Sequence, residues 1–224
     1  TITVNVININ DNAPAIANTS TSVAENTNAD SALLNLSDSN TGNDTDNDGE
    51  ALTYSITAGN DAGHFSINTT SGVLSIAGGK ALDFETATTH VLTVQASDGT
   101  KTDNATLTIN VTNINDNTPV VADNVVEALE TITPGTEITD LKDNLTTNDN
   151  DRDGDAISYS ITSGNEEGLF AIEAATGKIT LATKKSLDFD TRDQHILQII
   201  ATAGANTDTA QITINVPDSN TAPT

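Results

Sequence analysis

Residues 6–14 read VININDNAP and residues 111–119 read VTNINDNTP. In both, an alternation of apolar and polar residues runs into Asn-Asp-Asn and stops at a proline. Period-two alternation marks a half-buried strand. The cluster that follows ends it, because proline has no N–H to give to a ladder and short polar side chains favour turns. The stretches begin at 6 and 111, an offset of 105, and the same offset places Tyr54 on Tyr159, Phe65 on Phe170, Phe84 on Phe189, His90 on His195 and Pro14 on Pro119 without a gap. The chain is therefore an internal repeat. ITVNVININDN at 2–12 also falls on LTINVTNINDN at 107–117. Residues 1–12 are thus expected to be the last strand and linker of a preceding repeat, 13–117 one full repeat and 118–224 a second, the whole being a segment of something longer.

Working outward from the linker, ATLTINV at 105–111 puts Ala105, Leu107, Ile109 and Val111 on one side and Thr106, Thr108 and Asn110 on the other. This is the pattern of a half-buried antiparallel strand. Similar runs, separated by Asn/Asp/Gly/Ser/Thr clusters, predict strands at 20–24, 31–36, 51–57, 65–68, 73–77, 90–97 and 104–112. The second repeat gives 125–130, 136–141, 156–162, 169–173, 178–182, 195–202 and 209–216. Seven short strands per repeat, with no useful helical period, predict an all-β chain of two tandem seven-stranded Greek-key β-sandwiches, immunoglobulin-like in architecture.

Composition agrees with two small cores rather than one large one, since aromatics make up 3% of the 224 residues and Trp, Met and Cys are absent. Without cysteine there is no disulfide framework and no thiolate chemistry. No apolar run is long enough to insert directly into a membrane. Acidic residues outnumber Lys plus Arg by 32 to 8, for a formal charge of −24. Such a surface repels nucleic acid and attracts cations.

The carboxylates recur in register. Glu25 in VAEN matches Glu130 in ALET, DTDNDGE at 44–50 matches DNDRDGD at 149–155, LDFE at 82–85 matches LDFD at 187–190, and NINDN recurs at 8–12 and 113–117. Asp98 in QASDG is a fifth candidate, but its counterpart is Ala203. A lone Asp-Gly loop is more often a turn device than a ligand. An EF-hand is excluded because the twelfth loop position is Ser55 or Ser160, where a bidentate Glu is needed, and the flanks are strands. In a sandwich, however, loops gather at the two ends. The first-strand Glu, the LDFE loop and the linker are expected at one end of a repeat, and the Asp-rich loop with Asp98 at the other.

The ordered set AEN, D-x-D-G, LDFE, A-S-D-G and N-x-N-D-N-x-P resembles the extracellular cadherin repeat, most closely its bacterial cadherin-like relatives, over the whole chain. The resemblance implies a Ca2+ cluster at each inter-repeat junction. For the central junction it implies Glu25, Asp83 and Glu85 from repeat one, the Ile114 and Asn117 carbonyls with Asn115 and Asp116 from the linker, and Asp151 and Asp153, with Asp149 as a further candidate, from repeat two. At the N-terminal end it implies Asn10, the Asn12 carbonyl, Asp46, Asp48 and Asp98, with Asp44 as an additional candidate. Glu130, Asp188 and Asp190 would serve a C-terminal junction, where Thr221 replaces the linker aspartate. Because Ala203 replaces the carboxylate that holds the family's third ion, the central junction is expected to bind two Ca2+ well and a third weakly or not at all.

Calcium suits the donor set, which is all carboxylate and carbonyl oxygen from flexible loops. Two carboxylates about 5 Å apart repel by roughly 3 kcal/mol at an effective dielectric of about 20, so an ion-free junction is expected to open into a hinge. The function implied is a calcium-dependent structural or adhesive module of an extracellular protein, on a bacterial cell surface or in biofilm, meeting like molecules. The alternative is a calcium-dependent polysaccharide-binding module. Catalysis is disfavoured: His64 is matched by Leu169, and His90 and His195 open a strand without a nucleophile motif nearby.

Overall fold

The computed structural model describes residues 2–37, 44–142 and 150–218. The chain divides into two compact units, Thr1–Ile114 and Asn115–Thr224, and each is described by itself.

Unit 1 contains β1 (Ala15–Ile16), β2 (Thr19–Ala24), β3 (Ala32–Asn35), β4 (Asp44–Thr45), β5 (Thr53–Ala58), β6 (Phe65–Ile67), β7 (Val73–Ile76), β8 (Thr89–Ser97) and β9 (Thr102–Thr112). A four-stranded sheet in the order β2-β9-β8-β5 faces a three-stranded sheet β3-β7-β6, and β1 pairs with β4 on its own. The inward rows expected from alternation are the ones buried: Ala105, Leu107, Ile109 and Val111 from β9 share a core with Leu92, Val94 and Ala96 from β8 and with Phe65, Leu74 and Ile76 from the opposite sheet. This is the two-layer, one-core arrangement of a β-sandwich.

Unit 2 repeats the design with β10 (Asn124–Glu127), β11 (Glu137–Asp140), β12 (Ser158–Ser163), β13 (Phe170–Ile172), β14 (Lys178–Leu181), β15 (Gln194–Ala203) and β16 (Asn206–Asn215). Its sheets run β10-β16-β15-β12 and β11-β14-β13, and its core is built on Leu197, Ile199, Ile212, Ile214, Ile179 and Leu181. In place of the β1–β4 pair it has the single bridge Val120↔Asn150.

One pairing departs from the antiparallel expectation. β9 is antiparallel to β8 but parallel to β2, with Thr19 opposite Leu107 and Ala24 opposite Thr112; β10 and β16 repeat this. In each unit the first strand of the larger sheet thus lies beside the last and runs the same way. The functional consequence is that Glu25, just past β2, and Ile114, just past β9, leave the sheet at the same end.

Residues 2–10, expected as a closing strand, pair with no strand among the described residues, and Ile2, Val4, Val6, Ile7 and Ile9 are exposed. A strand needs a neighbouring ladder to satisfy its backbone. The segment is instead tied to unit 1 only where it becomes polar, from Asn8 onward. Glycine is required at one repeated place. The β5–β8 and β12–β15 ladders each carry a bulge followed by a glycine at φ +83° (Gly59) or +85° (Gly164), where a Cβ would lie 2.0 Å from the Val91 carbonyl oxygen or 1.9 Å from that of Ile196. No helix among the described residues is long and apolar enough to cross a membrane.

Candidate metal centres

At the end of unit 1 where β2 and β9 finish, the buried Glu25 carboxylate accepts the backbone N–H of Phe84 at 2.7 Å and that of Ile114 at 2.6 Å, while the Glu25 N–H donates to the Thr112 carbonyl at 3.2 Å. One side chain thereby ties the first strand, the LDFE loop and the start of the linker together. The loop is shaped by Asp83, whose carboxylate accepts from the Thr86 N–H at 3.1 Å and hydroxyl at 2.7 Å. Asp83 is exposed and Glu85 half-buried on that loop. Unit 2 has the same plan in looser form. Glu130 accepts from the Phe189 N–H at 3.3 Å, Asp188 accepts from the Asp190 N–H at 3.1 Å and the Thr191 hydroxyl at 2.7 Å, and Asp190 is exposed.

At the opposite end of unit 1 the linker-like segment docks on the Asp-rich loop. Asp48 accepts the N–H groups of Asp11 at 2.9 Å and Asn12 at 2.6 Å, and the Asn12 amide at 2.7 Å, while Asn8 donates to the Asp48 carbonyl at 2.5 Å. Asp46 turns the loop by accepting the N–H groups of Asp48 at 2.8 Å and Gly49 at 3.1 Å, the side-chain-to-backbone turn that aspartate favours. Carboxylate oxygens of Asp46, Asp48 and Glu50 lie within 4.8 Å of one another. Asp98 organises the neighbouring turn, accepting from the Thr100 N–H at 2.7 Å and the Lys101 N–H at 2.6 Å.

The electrostatics follow from these donors. The Asn12 N–H beside Asp48 and the Lys101 N–H beside Asp98 hold both carboxylates below the usual aspartate range, the Asn10 side chain adding to the effect at Asp98. Burial pushes Glu50 up, and the charges of Asp46 and Asp48 push it further. Hydrogen-bond donors thus favour the charged forms of Asp48 and Asp98, whereas burial and its acidic neighbours disfavour that of Glu50. Four buried oxygens here, Asn10 Oδ1, Asp46 Oδ2, Glu50 Oε2 and Asp98 Oδ2, have no hydrogen-bond donor. Buried acceptors without donors are costly, and hard oxygens of this kind fit Ca2+.

Unit 2 copies part of this. Asn117 clamps Asp153 with its N–H at 2.8 Å and its amide at 2.9 Å, as Asn12 clamps Asp48. Asp151, Asp153 and Asp155 carboxylates lie within 4.8 Å of one another, and Asp151 Oδ2 is buried without a donor. Asp116 is exposed on the linker. Two expected ligand atoms have another partner: Asn115 Oδ1 and the Asn117 carbonyl both accept from the Asn206 amide.

The remaining expected residues sort as follows. Asp44 accepts from the Tyr54 hydroxyl and is not part of the group formed by Asp46, Asp48 and Glu50; burial and then the Asp44 bond raise the Tyr54 phenol. Asp149 and Thr221 lie outside the described residues. Glu50, Asp155 and Asn206 were not among the sequence-predicted residues. The signal for the first two was their shared offset, two places after Asp48 and Asp153. For Asn206 it was the change from Lys101 at the equivalent position.

The Cadherin domain model matches twice, over residues 19–112 and 125–217. Human "Protocadherin Fat 4" is 37% identical over 155 residues, covering 67% of this chain and 3% of that protein. Mouse "Cadherin EGF LAG seven-pass G-type receptor 2" is 33% identical over 183 residues, covering 78% of this chain and 6% of that protein. The chain thus spans only a small part of the curated relatives it matches. Among solved structures, mouse cadherin-23 EC22-24 superposes with a TM-score of 0.74 at 24% identity, covering 94% of this chain and 68% of that one. The human desmocollin-1 ectodomain gives 0.68 at 22% identity, covering 95% of this chain and 43% of that one.

Proposed function

The chain belongs to the cadherin family, as two cadherin domains in tandem, and from that premise we infer that it is a calcium-dependent spacer and adhesion module of a larger extracellular protein. The observation that carries the reading is the set of four buried oxygens in unit 1 without donors, on residues 10, 46, 50 and 98. In that site Asn10, the Asn12 carbonyl, Asp46, Asp48 and Asp98 hold Ca2+, with Glu50 as an added carboxylate. At the central junction Glu25, Asp83 and Glu85 of unit 1 share ions with the Ile114 and Asn117 carbonyls, Asn115, Asp116, Asp151 and Asp153. The bound ion supplies double positive charge, which neutralises carboxylates that otherwise repel. Glu25 orients the donors around it, and Asn12 and Asn117 hold Asp48 and Asp153 in place.

Extracellular calcium modules bind at around 10⁻⁴ to 10⁻³ M, so such sites fill outside cells and empty in the cytosol. The adhesive partner is a like molecule or a neighbouring repeat. The bacterial-surface and biofilm setting rests on the resemblance to bacterial cadherin-like repeats and finds no support, since the matched relatives come from animals. Polysaccharide binding finds no support: Tyr54, Phe65, Tyr159 and Phe170 are core residues, and Phe84 and Phe189 pack half-buried against the same cores rather than standing out as stacking platforms.

Thermal melting with Ca2+ and with chelator tests the calcium reading. Ligand at about 100-fold over its dissociation constant adds roughly 2.7 kcal/mol per site, which in a domain of this size raises the midpoint by roughly 10 °C or more. Identical melts in the two buffers contradict it.

A further inference from the structure

The turn joining β8 to β9 and the turn joining β15 to β16 occupy equivalent places but are built differently. In unit 1, Ser97 pairs with Thr102 and the loop is Asp98-Gly99-Thr100-Lys101. One Asp98 oxygen holds that loop open by accepting from the Thr100 N–H, the Thr100 hydroxyl and the Lys101 N–H, and the other is buried without a donor. In unit 2, Ala203 offers no such acceptor and the ladder zips one rung further. Ala203 pairs with Asn206, leaving Gly204-Ala205 as a two-residue hairpin loop. Gly204 has φ +59°, as a loop of that length requires.

The tighter turn puts Asn206 on the last rung, against the linker. Its amide Nδ2, with two N–H groups, lies within hydrogen-bond reach of three oxygens, Asn115 Oδ1, the Asn115 carbonyl at 3.3 Å and the Asn117 carbonyl at 2.8 Å, so that one N–H is shared. In return the Asn115 amide donates to the Ala203 carbonyl at 3.2 Å. The approach is close. A Cβ on Gly204 would lie 2.6 Å from Asn115 Nδ2, whereas one on the equivalent Gly99 would meet nothing within 4 Å. A cation and an N–H group seek the same oxygen lone pairs, so the amide and an ion cannot both use them.

We propose that the Asn206 amide stands in for a cation in unit 2, pinning Asn115 and Asn117 without an ion and leaving this end of the unit one Ca2+ site short of its counterpart in unit 1. The inference rests on the calcium reading above and goes beyond it. The lack of a carboxylate at position 203 alone predicts a weak site; the filled oxygens predict an alternative, ion-independent anchor. That anchor persists in chelator, when the remaining acidic groups are without ions.

The test uses the full chain. Asn206→Asp keeps the side-chain shape, removes the donor and adds a carboxylate; it is expected to bind one more Ca2+ per chain than the parent by equilibrium dialysis. The double change Ala203→Asp with Asn206→Lys installs the residues already found at the unit 1 turn, is expected to give the same gain, and stands in should the first variant fail to fold. In excess chelator, Asn206→Ala is expected to speed backbone hydrogen exchange over residues 113–120 by about tenfold through loss of its hydrogen bonds. Unchanged stoichiometry in a folded variant, or unchanged exchange in Asn206→Ala, overturns the inference while leaving the calcium reading intact. A parent chain that binds no Ca2+ overturns both.

Discussion

Replacing Glu25 by alanine measures how much of unit 1 is organised by one carboxylate before any ion is considered. The side chain is 4% exposed and receives two backbone donors, Phe84 and Ile114, at 2.7 and 2.6 Å. Hydrogen bonds to a charged group contribute about 1.5–3 kcal/mol each, and a donor left buried and unpaired loses the larger share. Two such losses amount to roughly 3–5 kcal/mol, a third or more of the margin of a domain this size. The melting of unit 1 is therefore expected to fall by roughly 15–25 °C. Calorimetry in excess chelator is the assay, because calcium release then contributes nothing. Hydrogen exchange assigns the loss: peptides containing Val23, Leu92 and Ile109 lose protection, while those containing Ile199 and Ile212 keep it. Glu25→Gln, which keeps one acceptor but turns an amide N–H toward the other donor, is expected to fall between alanine and wild type. An unchanged melt for Glu25→Ala would refute the organising role of the carboxylate.

Gly59→Ala is expected to lower the urea midpoint by the equivalent of about 3 kcal/mol or more, because a Cβ meets the Val91 carbonyl at 2.0 Å and φ is +83°. Gly49→Ala, with φ +81° but open space around it, is expected to lose only about 1–2 kcal/mol, and equal losses would contradict the steric argument. Burial, aided by Arg192, lowers the pKa of His195, and burial followed by His64 lowers that of His90; each ring packs edge-on against a phenylalanine, Phe170 or Phe65. The folded state therefore prefers the neutral rings. Their contribution is complete above the ordinary histidine value of about 6.5 and is lost as pH falls below it toward the lowered folded values, so stability in chelator should decline from pH 7.5 to 5. The double variant His90→Gln with His195→Gln should flatten that decline.

The alternation in 105–111 located β9 and its buried row because a sandwich strand shows the core every second residue. The β1–β4 pair was not legible, since two residues are too few to display a period. Nor was the parallel pairing of β2 with β9, which topology decides and alternation cannot express. At the acidic ends the repeat offset found the carboxylates, and the structure separates their jobs: Asp46 and Asp83 turn loops, Glu25 ties strands, and Asp44 is engaged by Tyr54. Asn206 was not legible because the sequence displays the lost aspartate at 203 but not the extra ladder rung that brings residue 206 to the linker.

His195 is buried, and its Nδ1 has no hydrogen-bond partner. Its ring packs edge-on against Phe170, and it lines a small cavity with Leu187, Asp188 and Arg192.

Small-angle X-ray scattering of the two-repeat chain, at millimolar Ca2+ and again in excess chelator, is the most direct test of the proposal that ions stiffen the joint between repeats. The expected result is an extended, rod-like distance distribution in Ca2+ that broadens and shortens in chelator while each sandwich stays folded. Superimposable profiles in the two buffers would contradict it.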